Sequence, residues 1–171
     1  MAVESGLEAA LDRAAATCLR HGAQLTELRR QVLRLVLESA QPVGAYALLE
    51  RLQVARRGAA PPTIYRALDF LLAQGLIHKV ERLNAFIGCD EGGQGHVHGE
   101  DHPHQFLICR GCGATVEICD AGVAAAVARA AAEAGFTPHR STIEVEGSCA
   151  RCAAAPAPRT PASGPASVNK L

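Results

Sequence analysis

The chain has 171 residues, with 17 Lys+Arg against 17 Asp+Glu, so its formal net charge is zero when histidines are neutral. This length holds one ordinary domain or two small ones, and 49% hydrophobic residues suffice for a packed core. Residues 1–84 carry 11 Lys+Arg and 8 Asp+Glu, whereas residues 85–152 carry 4 and 9. The imbalance predicts that the two halves of the chain have different roles. The excess of three positive charges in residues 1–84 is by itself weak evidence for nucleic-acid binding.

The first residues, MAVESGLEAALDRAAATCLR, include early acidic groups and lack the apolar core of a signal peptide. No stretch reaches the roughly 18 uncharged apolar residues that a membrane span needs. We therefore expect a cytoplasmic protein with no membrane segment. In that compartment the seven cysteines, an odd number, are expected to be reduced thiols rather than a disulfide framework.

The first half of the chain has the apolar spacing of helices. Leu7, Leu11 and Cys18 share one helical face, so Cys18 is predicted to be a small buried residue. A second helix is predicted in LTELRRQVLRLVLES, where Thr26 can cap the start, and a third in AYALLERL.

The fourth predicted helix, in PPTIYRALDFLLAQG, is entered through two prolines and ended by Gly75. Thr63, Tyr65 and Arg66 lie on its outer face near the N-terminus. The segments LIHKVER and AFIGCD then alternate apolar and polar residues around a turn at Leu83-Asn84, which predicts a hairpin. Helices followed by such a hairpin are typical of a winged-helix DNA-binding domain, assigned here to residues 1–84, whose last helix enters the major groove.

The second half, residues 85–152, is predicted to be a small α/β unit, which makes the fold class α+β. FLIC, ATVEIC and STIEVEG have the β-branched residues of strands, and an alanine-rich helix from Gly122 to Gly135 can be capped by Asp120. This unit is too small to bury a core alone, so we expect a metal and a partner subunit to support it. Residues 153–171 are rich in Ala, Pro and Ser and are expected to be a disordered tail whose role the sequence does not indicate.

Two Cys-x-x-Cys pairs, Cys109/Cys112 and Cys149/Cys152, supply four thiolates. Four thiolates in tetrahedral geometry suit a closed structural Zn²⁺ site. One such pair alone would leave a dithiol redox device or unrelated buried cysteines equally open. Two pairs favour zinc, and neither pair lies in a thioredoxin-like βαβ context.

The remaining ligand types suggest a second, mixed site. His78, Cys89, His102 and Glu117 offer two imidazoles, one thiolate and one carboxylate, a set that zinc accepts and that hard cations such as Mg²⁺ do not favour. Each residue also has an ordinary alternative, because strand histidines are usually surface groups and lone cysteines are usually core. His96 and His98 in the glycine-rich loop, and His104 after it, are further candidates whose role the residues leave open; Cys119 is predicted to be packed.

The sequence resembles the ferric uptake regulator superfamily and, within it, the zinc uptake regulators. The resemblance covers residues from about 10 to 152 and is carried by GAYALLERL, PPTIYRALDFLLAQGLIHKVE, FIGCD, HPHQFLICRGCG and CARC. It implies a dimer of chains that each join a winged helix to an α/β dimerisation domain. By this resemblance the structural zinc ligands are Cys109, Cys112, Cys149 and Cys152, the regulatory zinc ligands are His78, Cys89, His102 and Glu117, and the DNA contacts are Tyr46 and Arg66 with Thr63 and Tyr65 nearby.

The sequence departs from the iron-type members in one segment. Those members have an H-x-H-D-H run ahead of the first cysteine pair, whereas Gln105 and Phe106 stand in that place here. A third metal site is therefore not predicted. His139 lies close to where other members place a ligand, in a shifted register.

The expected function is zinc-responsive repression of zinc-uptake genes, with two Zn²⁺ per monomer and a homodimer bound to a palindromic operator in double-stranded DNA. The alternative within the family is a sensor of iron or manganese. A zinc hydrolase is the rival from another class, but no H-E-x-x-H or deaminase motif is present and four protein ligands leave no place for an activated water. Because those catalytic features are absent, the chain is expected not to be an enzyme. A thiol redox switch at Cys109/Cys112 is a third possibility.

Overall fold

The structure is a computed structural model that describes residues 2–89, 104–139 and 141–154. Within these ranges the elements are α1 (Ala2–Arg20), α2 (Glu27–Leu37), β1 (Val43–Gly44), α3 (Ala45–Ala55), α4 (Pro61–Ala73), β2 (Ile77–Val80), a 3-10 turn (Glu81–Leu83), β3 (Ala85–Gly88), β4 (His104–Cys109), β5 (Thr115–Ile118), α5 (Ala121–Glu133), β6 (Thr142–Gly147) and α6 (Ala150–Ala154). The α+β class predicted from the sequence is confirmed. None of the described helices combines the length and the apolar character that crossing a bilayer requires.

The first four helices pack around one apolar core, and a three-stranded sheet of order β1-β3-β2 closes it. Cys18 is fully buried in this core, as its helical spacing predicts. The strand β3 pairs with β2, so the hairpin strand after residue 84 lies in the first sheet. The two-residue strand β1 was not predicted, because two residues are too few to show an alternating pattern.

The ends of the helices test the predicted caps. Gly75 adopts φ +67° directly after α4, and the N–H of Leu76 donates to Leu71 O at 3.0 Å, which is the bond that closes a Schellman-type helix end. Asp120 accepts a hydrogen bond from the N–H of Val123 and so caps α5 as predicted. Thr26 occupies the N-cap position of α2, as predicted, but its side chain makes no capping hydrogen bond. The predicted side-chain cap is therefore wrong.

The second half forms a separate three-stranded sheet of order β5-β4-β6. Strand β4 is antiparallel to β5 and parallel to β6, and Phe106 on β4 lies opposite both Glu117 and Glu144. Phe106 and Ile108 are buried with Val80 of the first sheet, and Ile87 packs against them. This small apolar cluster joins the two halves of the chain, and burying a side chain such as Phe106 contributes about 1.5–3 kcal/mol.

Candidate metal centres and DNA-facing surface

The four cysteines of the two Cys-x-x-Cys pairs meet at one end of the second sheet. Cys109 ends β4, and the parallel pairing of Cys109 with Gly147 of β6 brings the segment that starts α6 beside it. The four sulfur atoms lie within 4.8 Å of one another, and Cys112 Sγ is 3.8 Å from Cys149 Sγ. A tetrahedral ion with metal–sulfur bonds of about 2.3 Å requires sulfur–sulfur edges of about 3.8 Å. The thiols therefore fit a tetrathiolate zinc ion.

The surroundings of Cys109 and Cys112 favour the ionised form that a metal needs. The N–H of Cys149 donates to Cys109 Sγ at 3.3 Å, and this bond, together with the backbone N–H of Cys112, lowers the pKa of Cys109 to about 6. The pKa of Cys112 is also lowered, first by the N–H of Ala114 and then by the Arg151 guanidinium. Conversely, the hydrogen bond of Cys152 with Cys112 and its contacts with the other thiols raise the pKa of Cys152 to about 12. Four thiols this close share negative charge that a divalent cation would neutralise.

Glycines let the chain close tightly around the sulfurs. A Cβ at Gly111 would lie 3.0 Å from Cys152 Sγ and 3.8 Å from Cys109 Sγ, so a side chain there would enter the space that the thiols occupy. Gly113 follows with φ +73°, a conformation that glycine adopts readily. The same turn contacts the first half of the chain, because Gln41 Nε2 donates to Cys112 O at 2.9 Å.

A second group of ligand atoms lies between the two halves of the chain. His78 on β2, Cys89 after β3 and Glu117 on β5 have their ligand atoms within 4.8 Å of one another. His78 Nε2 is 3.4 Å from Glu117 Oε1, and the two side chains are only 6% and 16% exposed. Imidazole, thiolate and carboxylate together suit zinc better than a hard cation.

The secondary structure explains why these three residues converge. His78 lies opposite Ile87 in the β2–β3 pair, and the N–H of Cys89 donates to Leu76 O at 3.2 Å, so both residues are held on one end of the hairpin. A Cβ at Gly88 would lie 2.5 Å from Leu37 Cδ2, which shows how closely β3 approaches α2 just before Cys89. Glu117 reaches the group from the other sheet, beside Phe106, whose ring centre is 6.1 Å from that of His78.

The remaining residues that the sequence raised as ligand candidates lie in different places. His102, the fourth predicted regulatory ligand, lies outside the described residues together with His96 and His98. His139 is exposed in the segment before β6. Gln105 is buried and exchanges hydrogen bonds with the backbone of Asp120, so it anchors the start of α5 where iron-type members place a ligand. Cys119 is exposed, which corrects the prediction that it is packed.

Two of the predicted DNA contacts, Tyr46 and Tyr65, share one surface of the first half. Tyr46 on α3 is 68% exposed and Tyr65 on α4 is 43% exposed, and both line a cleft of about 260 Å³. Arg66 is exposed and Thr63 is half-buried on the same first turns of α4. Lys79 and Asn84 of the hairpin line this cleft too, which the sequence reasoning missed. The turn signal at Leu83-Asn84 could have pointed to Asn84, since it marks the hairpin tip that flanks the last helix of a winged helix.

Comparison with known proteins places the chain in a family. Residues 20–146 match the model of the ferric uptake regulator family. The zinc uptake regulation protein of Escherichia coli (strain K12) is 40% identical over 152 residues, which cover 88% of this chain and 85% of that protein. A structure of a zinc uptake regulator complexed with zinc and DNA matches with a TM-score of 0.78 and 39% identity, covering 86% of this chain and 95% of that one. The crystal structure of holo XcZur matches with a TM-score of 0.73 and 41% identity, covering 85% and 97%. This chain therefore belongs to the ferric uptake regulator family, in its zinc uptake regulator branch.

Proposed function

We propose that this protein is a zinc-responsive, DNA-binding repressor of zinc-uptake genes in which zinc acts as corepressor. The observation that carries the proposal is the group formed by His78, Cys89 and Glu117, because it draws ligands from both halves of the chain. The relative from Escherichia coli is named for zinc uptake regulation, and the neighbour at TM-score 0.78 was solved with zinc and DNA. The alternative, a regulator that senses iron or manganese, is less favoured because a thiolate ligand selects a softer cation.

The mechanism follows from where these ligands are attached. Zinc bound by His78, Cys89, Glu117 and, in our proposal, His102 would supply a crosslink between the two halves. His78 and Cys89 are fixed to the hairpin of the winged helix, and Glu117 is fixed to β5 of the second sheet. Holding these three side chains together keeps α4 at one angle to the second sheet. Because zinc binds the arrangement in which the ligands converge, that arrangement gains population when the site is filled.

The second sheet supports the proposal of a homodimer. Leu107 on β4 lies opposite Val116 on β5 and Val145 on β6, and all three side chains are 42–55% exposed on the same face. Helix α5 has no buried residue within the described chain. An exposed apolar row and an uncovered helix are typical of a surface that a second copy covers. A two-fold dimer would present two α4 helices to the half-sites of a palindromic operator.

The proposed metal content is two Zn²⁺ per monomer. The cysteine cluster is proposed as a structural site, since it lies within one half and all its ligands are thiols. With four protein ligands at each site no coordination position is left open for an activated water, which is why we propose regulation and not catalysis. We also propose a cytoplasmic location, where DNA is present and thiols stay reduced.

The test is DNA binding as a function of zinc. DNA selected from a random pool by the full-length, zinc-loaded protein provides the operator probe. Fluorescence anisotropy should then show tight binding of the DNA probe with zinc. The affinity for DNA should fall strongly when a chelator removes the zinc of the site formed by His78, Cys89 and Glu117. Equal affinity with and without the chelator, or a stronger response to Fe²⁺ or Mn²⁺ than to Zn²⁺, would contradict the proposal.

The recognition surface on α4 predicts the effect of one arginine. Arg66→Ala is expected to weaken operator binding by about 1–3 kcal/mol, because an arginine that reads a base edge contributes that much. The zinc response should persist, since Arg66 is outside the ligand group. Anisotropy titrations with and without zinc measure both effects. Arg20→Ala at the end of α1 removes the same charge from an exposed position outside the proposed dimer surface and should leave the affinity near wild type.

A further inference from the structure

Glu144 of the second sheet binds the 3-10 turn Glu81–Leu83 of the first half, which we call the wing turn. Glu144 on β6 accepts a hydrogen bond on each carboxylate oxygen, from the N–H of Glu81 at 2.6 Å and from the N–H of Arg82 at 2.9 Å. These two amides belong to the 3-10 turn between β2 and β3. Hydrogen bonds to an ionised carboxylate are about twice as strong as bonds between neutral groups.

A second glutamate on the same strand adds to this contact. Arg82 Nε donates to Glu146 Oε1 at 3.0 Å, and that bond raises the pKa of Arg82. Because Glu144 and Glu146 are two residues apart on β6, they point to the same face of the sheet. The turn is therefore held by its backbone and by a side chain at once.

The position of Glu144 relates this contact to the regulatory ligand group. Phe106 lies opposite Glu117 on one side and opposite Glu144 on the other. These three residues form one row across the sheet that faces the winged helix. Glu117 reaches the ligand group at one end of the row, and Glu144 reaches the wing turn at the other end.

Two attachments restrain an angle better than one. Other links between the halves are the ligand group, the hydrogen bond from Gln41 to Cys112 O and the small apolar cluster of Val80, Phe106 and Ile108, about which the winged helix could still pivot. Glu144 blocks that pivot, and it does so without a metal, because its partners are backbone amides. Neither glutamate was singled out by the sequence, because Glu144 and Glu146 alternate with Ile143 and Val145 as solvent-facing residues do on an ordinary strand.

We infer that Glu144 is a positioning residue of the zinc switch: its contact with the wing turn holds the two halves at the DNA-binding angle and thereby strengthens zinc binding at the second site. The inference rests on the proposed function for its consequence at DNA. By linkage, whatever favours the arrangement in which the ligands converge also raises the affinity of the site. The surface exposure of the contact limits the effect to about three- to tenfold.

The experiment compares full-length Glu144→Gln with wild type. Glutamine keeps the size of the side chain but turns an NH₂ group toward one of the two amide donors. Hydrogen exchange of the Glu81 and Arg82 amides should accelerate by about three- to tenfold. Competition with a chelator should show about three- to tenfold weaker binding of the second zinc, while the structural zinc and the melting temperature stay unchanged. Glu50→Gln on α3 makes the same exchange at an exposed site outside both ligand groups and the proposed dimer surface, and it should change neither readout.

The outcomes separate the inference from the proposed function. Unchanged exchange at both amides, or unchanged affinity for the second zinc, overturns the role of Glu144. A fall in the zinc affinity of the second site together with a lower melting temperature and loss of structural zinc also overturns it, since that pattern marks general damage to β6. Neither readout uses DNA, so a wild-type protein that ignores zinc in DNA binding refutes the proposed function alone.

Discussion

Replacing Cys89 with serine is expected to abolish the zinc-dependent gain in DNA affinity while the protein stays folded and dimeric. Cys89 is the only thiol in the ligand group of His78, Cys89 and Glu117, and a serine hydroxyl stays protonated where a thiol ionises. Losing a residue that only hydrogen-bonds to a metal ligand weakens the metal affinity of a site about 10–100-fold. Losing the ligand itself should therefore weaken the affinity by more than about 100-fold. The crosslink between the hairpin and β5 is then lost at ordinary zinc concentrations.

The variant is measured by operator titration with and without zinc and by zinc content. The zinc-to-chain ratio should fall from about two to about one, as expected if a closed structural site is retained. Cys119→Ser is the matched control, because it makes the same exchange at an exposed thiol outside both ligand groups. A Cys89→Ser protein that still responds fully to zinc would sink the regulatory role of this site.

Replacing Cys109 with serine is expected to have a different and larger effect, the loss of the second half's fold and of the dimer. Structural zinc in small metal-binding peptides contributes about 10–16 kcal/mol of apparent binding energy that is also folding energy. That is of the same order as the entire free energy of unfolding of a typical protein, roughly 5–15 kcal/mol. Cys109 ends β4, the central strand of the β5-β4-β6 sheet. Loss of structure at Cys109 would therefore disturb the pairing of β4 with both β5 and β6.

Three measurements follow this variant: zinc content, circular dichroism during heating, and size-exclusion chromatography. We expect loss of the tightly held zinc, a lower melting temperature and a shift from dimer to monomer or aggregate. Cys119→Ser again serves as control and should melt like wild type. If Cys109→Ser keeps both the dimer and the wild-type melting temperature, the cysteine cluster is not a structural metal site.

Much of the fold was predictable because its signals are local. The helix spacing that places Leu11 and Cys18 inside, the glycine that ends α4 and the cap at Asp120 each involve residues close in sequence. The failed prediction at Thr26 and the unexpected exposure of Cys119 have a common cause. In both cases the residue type favours an environment that the folded chain does not supply at that position.

The two groups of candidate metal ligands also differ in how far the sequence predicts them. The spacing of two Cys-x-x-Cys pairs was enough to predict that Cys109, Cys112, Cys149 and Cys152 meet, and the structure brings them together. The residues alone left His78, Cys89 and Glu117 as equally good candidates for ordinary roles. Their convergence depends on two sheets meeting at Phe106, and such a contact has no pattern along the chain. The metal roles themselves, and that of His102, stay predictions.

By itself, then, the sequence determined the order of the longer helices and strands, the family and the set of thiols that can bind one ion, because each depends on spacing within short segments. Only the tertiary structure decided which face of the second sheet meets the winged helix, and so which carboxylates reach it. Glu117 and Glu144 are both strand residues, yet one lies beside the ligand group and the other holds the wing turn. The physical reason is that strand pairing places residues 27 positions apart in one row, which no local periodicity records.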